Sequence, residues 1–437
     1  MKLNRKLCAL LLSVVVCPLS VFAQELTDTL TAVVRDADTG EPIPYVSVYV
    51  SPSVGTISNY DGEFCLECLP QDVLHISSIG YKKVSIKASE LPATVLMSPV
   101  SKTLREITVV GSDDIMSRLV RKMQKEAKKY KKAEGNYFFR LSTQYPGTEE
   151  LAEAFLSAKS CVQMRDLTFH SGNRGLLSEK GILATPDLKG LGSTNLHVFL
   201  RLAPILVNFD FWDFAIVPGD IVLSRKGKLY DVSSVASFED DGTEIRKISV
   251  TGKPGSSSYT ILEGTLYVDS KNCRLLRFDG QMKGLYLRLY DNARRRTSAD
   301  TVYYTMHMDY RHDHGFTEIA NMSGTIVKDN VKLRYILFNL GEKEMTFKKA
   351  YRVGDNMVRA IDNVGYDSTL WAMTGIVKRT EAEERIAFGD SSFHLPNKSK
   401  YNVAPSLREA DANKYLREAI RQLKTGTMQL HRGLPSK

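Results

Sequence analysis

Beyond its first two dozen residues, this 437-residue chain contains no run of 18 apolar residues. A spanning helix of about 20 residues is therefore excluded there. His-Glu-x-x-His, Gly-x-Ser-x-Gly, a Walker loop and a dinucleotide fingerprint are all absent, which removes the usual signatures of metalloprotease, hydrolase and nucleotide chemistry. Cysteine is scarce at six residues, and two of these, Cys8 and Cys17, fall in the N-terminal segment. No strong excess of one charge is present either. Fifty-nine Lys and Arg face 50 Asp and Glu, a net charge of +9, which neither demands nucleic acid nor excludes anionic lipid.

The N-terminus has the layout of an export signal. Lys2, Arg5 and Lys6 precede the apolar run Leu7 to Leu19, and Val21-Phe22-Ala23 offers small residues ahead of Gln24. Val14-Val15-Val16 before Cys17 matches a lipoprotein cleavage site poorly, so a mature chain from Gln24 is expected. Its composition, 43% apolar and 25% charged, is that of a globular protein of two or three domains.

From Thr29 to about Pro99, short β-rich runs alternate with turn clusters at the spacing of a sandwich. Three signatures punctuate them. They are Val33-Val34-Arg35-Asp36-Ala37-Asp38-Thr39-Gly40-Glu41-Pro42-Ile43-Pro44, then Thr56-Ile57-Ser58-Asn59-Tyr60-Asp61-Gly62-Glu63-Phe64, then His75-Ile76-Ser77-Ser78-Ile79-Gly80-Tyr81. In this order they resemble the carboxypeptidase regulatory-like domain of Bacteroidetes envelope proteins. The resemblance implies a seven-stranded, transthyretin-like β-sandwich that is a non-catalytic accessory. No histidine is followed three residues later by glutamate, the pair that a zinc carboxypeptidase would need. Leu104 to Gly111 looks like the stretch that joins such domains to a TonB-dependent receptor plug. The chain is too short for the plug and barrel of such a receptor, so a strand docking on its own protein is expected.

Cys65-Leu66-Glu67-Cys68 follows directly on the second signature. On a strand, residues three apart face opposite sides about 10 Å apart, beyond the ~7 Å reach of a disulfide. A structural role is expected for this pair, whereas a Cys161–Cys273 bridge stays open. His75 alternates with Leu74 and Ile76 and reads as a rim or partner-facing residue.

After Ser112, Asp113 and Asp114 mark a helix start, and Ile115, Leu119, Met123, Ala127 and Tyr130 fall on one side. Eight Lys and Arg between Arg118 and Lys132 crowd the remainder. Such a helix either lies on anionic lipid or packs its apolar stripe on a sheet with the charges solvated, and the second is favoured. Tyr137 to Thr143 reads as a strand, and Glu149 to Cys161 as strand or helix. Antiparallel strands follow from Lys228 to Asn339, with turns at Asp240-Asp241-Gly242 and Ser270-Lys271-Asn272. Tyr310 to Gly315 holds the only close histidine pair, His312 and His314, read as a solvated hairpin turn. Thr380 is placed to cap a helix starting at Glu381, and Ser406 to Lys424 is amphipathic.

Phe209-Asp210-Phe211-Trp212-Asp213, Glu263 to Asp269 and Leu275-Leu276-Arg277 are similar to a Bacteroidetes envelope family of unknown function. The Gly264-Thr265-Leu266-Tyr267-Val268-Asp269 hairpin also resembles the curved sheet of LolA/LolB-type carriers, which cradle acyl chains. The expected organisation is an export signal at 1–23, the sandwich at 24–99, and a linking strand with the basic helix at 100–134. An antiparallel, curved β domain with one or two helices follows at 135–370, with a helical, partly disordered tail at 371–437. The chain is thus expected to be mainly β and non-catalytic, without cofactor or metal. It would bind or assemble with an envelope protein or lipid at the periplasmic side of the outer membrane, without nucleic acid. The alternative is a carrier of lipid or another hydrophobic ligand. For either role the apolar surface is assigned to Phe199, Phe209, Phe211, Trp212 and Phe214, from the aromatic run Leu196 to Val217.

Overall fold

In the computed structural model the described residues are 28–100, 112–145, 148–162, 164–178, 230–252, 261–283, 303–328, 331–341, 345–347, 350–352, 364–371, 376–388 and 393–395. The assignments at 1–23, Leu104 to Gly111, Leu196 to Val217 and Ser406 to Lys424 lie outside them. So do all five aromatic residues named as ligand surface.

Seven short strands form the N-terminal module: β1 (Asp28–Asp36), β2 (Ser47–Ser51), β3 (Val54–Ile57), β4 (Glu63–Cys68), β5 (Val73–Ser77), β6 (Val84–Lys87) and β7 (Thr94–Met97). They pair as two sheets, β4-β1-β7 and β3-β2-β5-β6, with β1 and β7 parallel. The inward-facing residues Val34, Val48, Phe64, Leu66, Leu74, Ile76 and Met97 make the shared core. This is the expected sandwich.

The three turn signatures hold one another. Asp36 accepts from the amides of Asp38 and Thr39 at 2.8 and 2.9 Å, so its side chain closes its own turn. Asn59 does the same for Asp61 and Glu63, both at 2.9 Å. Gly62, at φ +76°, abuts the first signature so closely that a Cβ there would lie 2.6 Å from the Val34 carbonyl. Tyr81 of the third signature donates to Asp36 of the first at 2.8 Å. Cys65 and Cys68 point to opposite sides of β4, half-buried and buried, and both are free thiols.

Twelve strands build one large antiparallel sheet. They are β8 (Gly135–Tyr145), β9 (Thr148–Ser160), β10 (Arg165–Ser178), β11 (Tyr230–Asp240), β12 (Thr243–Gly252), β13 (Ile261–Asp269), β14 (Arg274–Lys283), β15 (Tyr303–Arg311), β16 (Glu318–Lys328), β17 (Val331–Asn339), β18 (Tyr351–Arg352) and β19 (Phe393–Leu395). The order is β11-β12-β13-β14-β15-β16-β17-β8-β9-β10-β18, with β19 also on β10. The first strand of the domain thus closes onto the last meander strand, Phe138 facing Phe338. Glu149 to Cys161, open between strand and helix from sequence, is essentially β9. Ala152, Ala154, Leu156 and Ala158 alternate onto one face, a period of two that only a strand uses.

Across that face lies α1 (Ser112–Lys129). Its stripe Ile115, Met116, Leu119, Met123 and Ala127 is buried in a single cluster with residues from β12 round to β10. These nine neighbouring strands would span roughly 38 Å if flat, at about 4.8 Å per strand. Gathering them around a helix about 10 Å across means that the sheet curls. Glycines mark the bend. Gly264 faces Gly280 across β13 and β14, and a Cβ on Gly264 would fall 2.2 Å from the Asp279 carbonyl.

The helix crosses the turn end of the strands. Cys273 Sγ lies 3.7 Å from the Ile115 carbonyl, and Glu126 accepts the Thr317 amide at 2.9 Å. No disulfide joins Cys161 and Cys273. The His312–His314 turn departs from the solvated reading. His312 is half-buried and donates to the Leu275 carbonyl at 2.8 Å, and burial lowers its pKa. His314 bonds the buried Glu318 at 2.8 Å. The turn is held because α1 packs over it: Tyr130 meets Phe316 with ring centroids 4.8 Å apart.

Near the C-terminus, α2 (Ser368–Trp371) and α3 (Glu381–Phe388) pack on the other face of the sheet. Thr380 caps α3 as its sequence indicates. Its hydroxyl accepts the Glu383 amide at 3.3 Å while Glu383 returns a bond to the Thr380 amide at 3.0 Å, a reciprocal capping box.

Candidate functional site

The sandwich is seated on the sheet face opposite α1. In β8, Tyr137, Phe139 and Leu141 point toward α1, whereas Phe138 and Arg140 point toward the sandwich and the C-terminal helices. A second apolar cluster joins these parts: Tyr45 and Ile57 of the sandwich, Phe138, Phe155, Ile336 and Leu340 of the sheet, and Leu370 and Val377 beyond it. Tyr45 has a φ of +62°, a conformation that costs a bulky residue of order 1–3 kcal/mol. That backbone turns its ring out of the sandwich and onto His307, with centroids 5.5 Å apart.

Charges lie beneath this contact. Arg277 Nε donates to Asp309 at 2.7 Å, while its Nη atoms reach the Ile79 carbonyl at 3.2 Å and Ser78 Oγ at 3.0 Å. One guanidinium therefore ties β14 and β15 to the sandwich. His307 donates through both ring nitrogens, to Asp279 at 2.5 Å and to Asp309 at 3.1 Å, so it is an imidazolium. Burial alone would lower its pKa. The Asp309 charge and the bonds to both carboxylates outweigh burial and raise it to about 9. Burial likewise pushes Asp309 up, but Arg277 and then His307 hold it well below the carboxylate range.

A pH dependence follows. The imidazolium is favoured in the folded state, so its contribution is complete below its ordinary pKa of 6.5 and is lost as pH rises through about 9. Denaturant midpoints of the parent are expected to fall between pH 6.5 and 9 more steeply than those of His307→Gln. Parallel profiles would refute the assignment.

Two rim pairs, the exposed Lys83–Asp241 and the half-buried Lys378–Glu63, both at 2.6 Å, tie the sandwich to its neighbours. An exposed pair such as Lys83–Asp241 contributes little. Asp241 sits in the turn its sequence indicates and faces the sandwich, whereas Asp240 ends β11 and lines the cleft between the two units.

Between sandwich and sheet lies a cleft of about 620 Å³. β2, β3 and β5 wall one side. The ends of β14 to β17 wall the other, with Leu276, Ala320, Phe338 and Leu340 as apolar floor. Arg277, Asp309, Lys83, Asp240, Arg311 and His75 are among its polar residues. His75 sits at this rim, bonded to Ser85 at 3.0 Å and tilted against Tyr49 with centroids 5.4 Å apart. Its size and its placement between two units are marks of a binding cleft, and its lining mixes an apolar floor with charged and polar walls. Among the described residues no group of three His, Cys, Asp or Glu is placed to hold a metal ion. No described helix is long and apolar enough to cross a membrane, which says nothing of a β-barrel.

Several cleft residues fall in motifs the sequence displays, among them Ser78, Ile79, Asp240, Leu276 and Arg277, but apart from His75 none is marked by the sequence as facing a partner. Arg277 enters the sequence reading only through the Leu275-Leu276-Arg277 resemblance, because its partners lie 32 and about 200 residues away.

Residues 30–109 are a CarboxypepD_reg-like domain, as the model of that family matches them. Over 111 residues the chain is 32% identical to the TonB-dependent receptor SusC of Bacteroides thetaiotaomicron, covering 24% of this chain and 10% of that receptor. It thus spans about a tenth of that relative. Among solved structures, the LolA superfamily protein NE2245 of Nitrosomonas europaea aligns at 11% identity over 53% of this chain and 97% of its own, with a TM-score of 0.21. A putative outer membrane lipoprotein-sorting protein domain from Vibrio parahaemolyticus aligns at 8% identity, over 58% and 99%, also at 0.21. Scores this low establish neither a shared fold nor a shared function.

Proposed function

We propose that this protein is a non-catalytic binding module of the bacterial envelope that holds a partner protein in the cleft between its sandwich and its sheet. The observation that carries the reading is the 620 Å³ cleft itself, walled by two units that a buried ion network holds together. Polar groups at the cleft are largely engaged with one another, as Arg277 is with Asp309 and Ser78. They are poised to position a ligand more than to react with it. The regulatory-like domain and the stretch similar to SusC, a TonB-dependent receptor, support export and a place at the outer membrane. The N-terminal Lys2 to Ala23 segment supports export independently.

A second reading, a carrier of lipid, is favoured by one feature. The curled sheet has one continuous apolar face, with α1 as its lid. The aromatic residues Phe199, Phe209, Phe211, Trp212 and Phe214 would add to that surface.

Native mass spectrometry of the mature protein, purified gently from its own envelope, separates the two. Under the cleft reading a defined protein partner co-purifies and is lost in Ala320→Trp, which fills the cleft floor, while the melting temperature is unchanged. A bound mass of lipid size that survives Ala320→Trp, but is lost on replacing Phe211 and Trp212 with Asp, would overturn it in favour of the carrier.

A further inference from the structure

The outward face of α1 carries charge that nothing in the cleft reading uses. Arg118, Arg121, Lys122, Lys125, Lys128, Lys129, Lys131 and Lys132 stand within 15 residues, with Glu126 the sole carboxylate among them. Glu126 is buried and faces inward, where it accepts the Thr317 amide. It therefore does little to neutralise the surface. All the cations are exposed except Lys122, which is half-buried. Five of them line an open groove of about 430 Å³ along the helix, with Tyr130, Gly315 and, at its base, the engaged carboxylate of Glu126.

Three physical points narrow what this surface fits. The six cations within α1 recur every three or four residues and so share one side of the helix, as a row about 17 Å long at 1.5 Å per residue, and Lys131 and Lys132 follow in the turn beyond its end. A row of that length matches several anionic groups spread over a plane better than one small anion. The apolar stripe of α1 is committed to the sheet at Ile115, Leu119 and Met123, so the helix cannot insert its apolar side into a bilayer. Any membrane contact is therefore electrostatic, made at headgroup level.

We infer that the exposed basic face of α1 docks this protein onto a membrane surface bearing anionic phosphate headgroups, without insertion. The geometry adds an orientation. Because α1 and the sandwich occupy opposite faces of one sheet, a surface held by α1 leaves the cleft pointing away from the bilayer. The docking does not depend on the cleft reading, and each can fail alone.

The test is co-sedimentation of the full mature chain with sucrose-loaded vesicles. One set is pure phosphatidylcholine and the other contains 30% phosphatidylglycerol. Binding is expected only to the anionic vesicles, and it should fall steeply between 50 and 300 mM NaCl. Each basic residue near an anionic surface contributes roughly fivefold to partitioning. The triple variant Arg121→Glu, Lys125→Glu, Lys128→Glu is therefore expected to lose at least tenfold, with an unchanged circular dichroism spectrum because all three side chains are exposed. A salt-insensitive association, equal binding to both vesicle types, no binding at all, or full binding by the variant would each overturn the inference. So would tighter binding to a labelled DNA duplex than to the vesicles at equal ionic strength, which would mark a polyanion surface of another class.

Discussion

Glu153→Ala is expected to lower the free energy of unfolding by about 3–5 kcal/mol, the usual cost of removing one partner from a buried ion pair. Glu153 is wholly buried on β9 and serves two guanidiniums. Arg140 Nε reaches it at 2.7 Å, and Arg379 Nη2 at 2.6 Å. Burial alone would raise its carboxyl, but the charges of Arg379 and then Arg140 hold it down at about 2. Arg140 also donates to the Val377 and Lys378 carbonyls, at 2.6 and 3.1 Å, and to Glu383 at 3.2 Å. Without Glu153, two cations remain inside the protein with one carboxylate between them. The segment 376–388 is then expected to detach first, since Arg140 and Arg379 are its main polar anchors on the sheet. Urea titration, with proteolysis near Arg379 as a local readout, measures both effects. A loss under 1 kcal/mol would show that the network is not a stabilising unit.

Asp309→Ala is expected to have the second large effect, again about 3–5 kcal/mol, expressed at the junction and not within either unit. Asp309 is the shared acceptor of Arg277, His307 and Asn321, at 2.7, 3.1 and 3.0 Å. Its loss strands a buried arginine and a buried imidazolium together. Arg277 holds Ser78 and Ile79 of the sandwich, and His307 carries the Tyr45 ring. The two units are therefore expected to uncouple. Calorimetry should show one transition in the parent and two in the variant, with the cleft partner lost as well. A single transition at an unchanged temperature would mean that the apolar cluster around Tyr45 and Ile57 suffices to hold them. Tyr45→Ala addresses that cluster directly, so the two variants separate the ionic from the apolar part of the junction.

The elements readable from sequence share one property: their determinants lie within a few residues of one another. Gly62 needs a positive φ because a tight turn follows Asn59, whose side chain closes that turn over four residues. Thr380 and Glu383 cap α3 across three residues. The stripe Ile115, Leu119, Met123 and Ala127 repeats at one helical turn. Where a reading faltered, a distant neighbour made the difference. His312 and His314 sit in a hairpin turn as their sequence indicates, yet α1 covers that turn from nearly 200 positions away.

The amino-acid sequence by itself therefore determined the sandwich, the basic amphipathic helix, the capped C-terminal helix and the alternating strands, because each rests on local backbone preference and a short period. Tertiary structure alone decided the rest. It chose which face of the sheet takes α1 and which takes the sandwich, paired Arg140 with Glu153 and Arg277 with Asp309, and opened a cleft between two units. Alternation in a strand specifies two faces but not what covers either. Charged residues separated by tens or hundreds of positions find their partners only when the sheet has curled and the sandwich has docked.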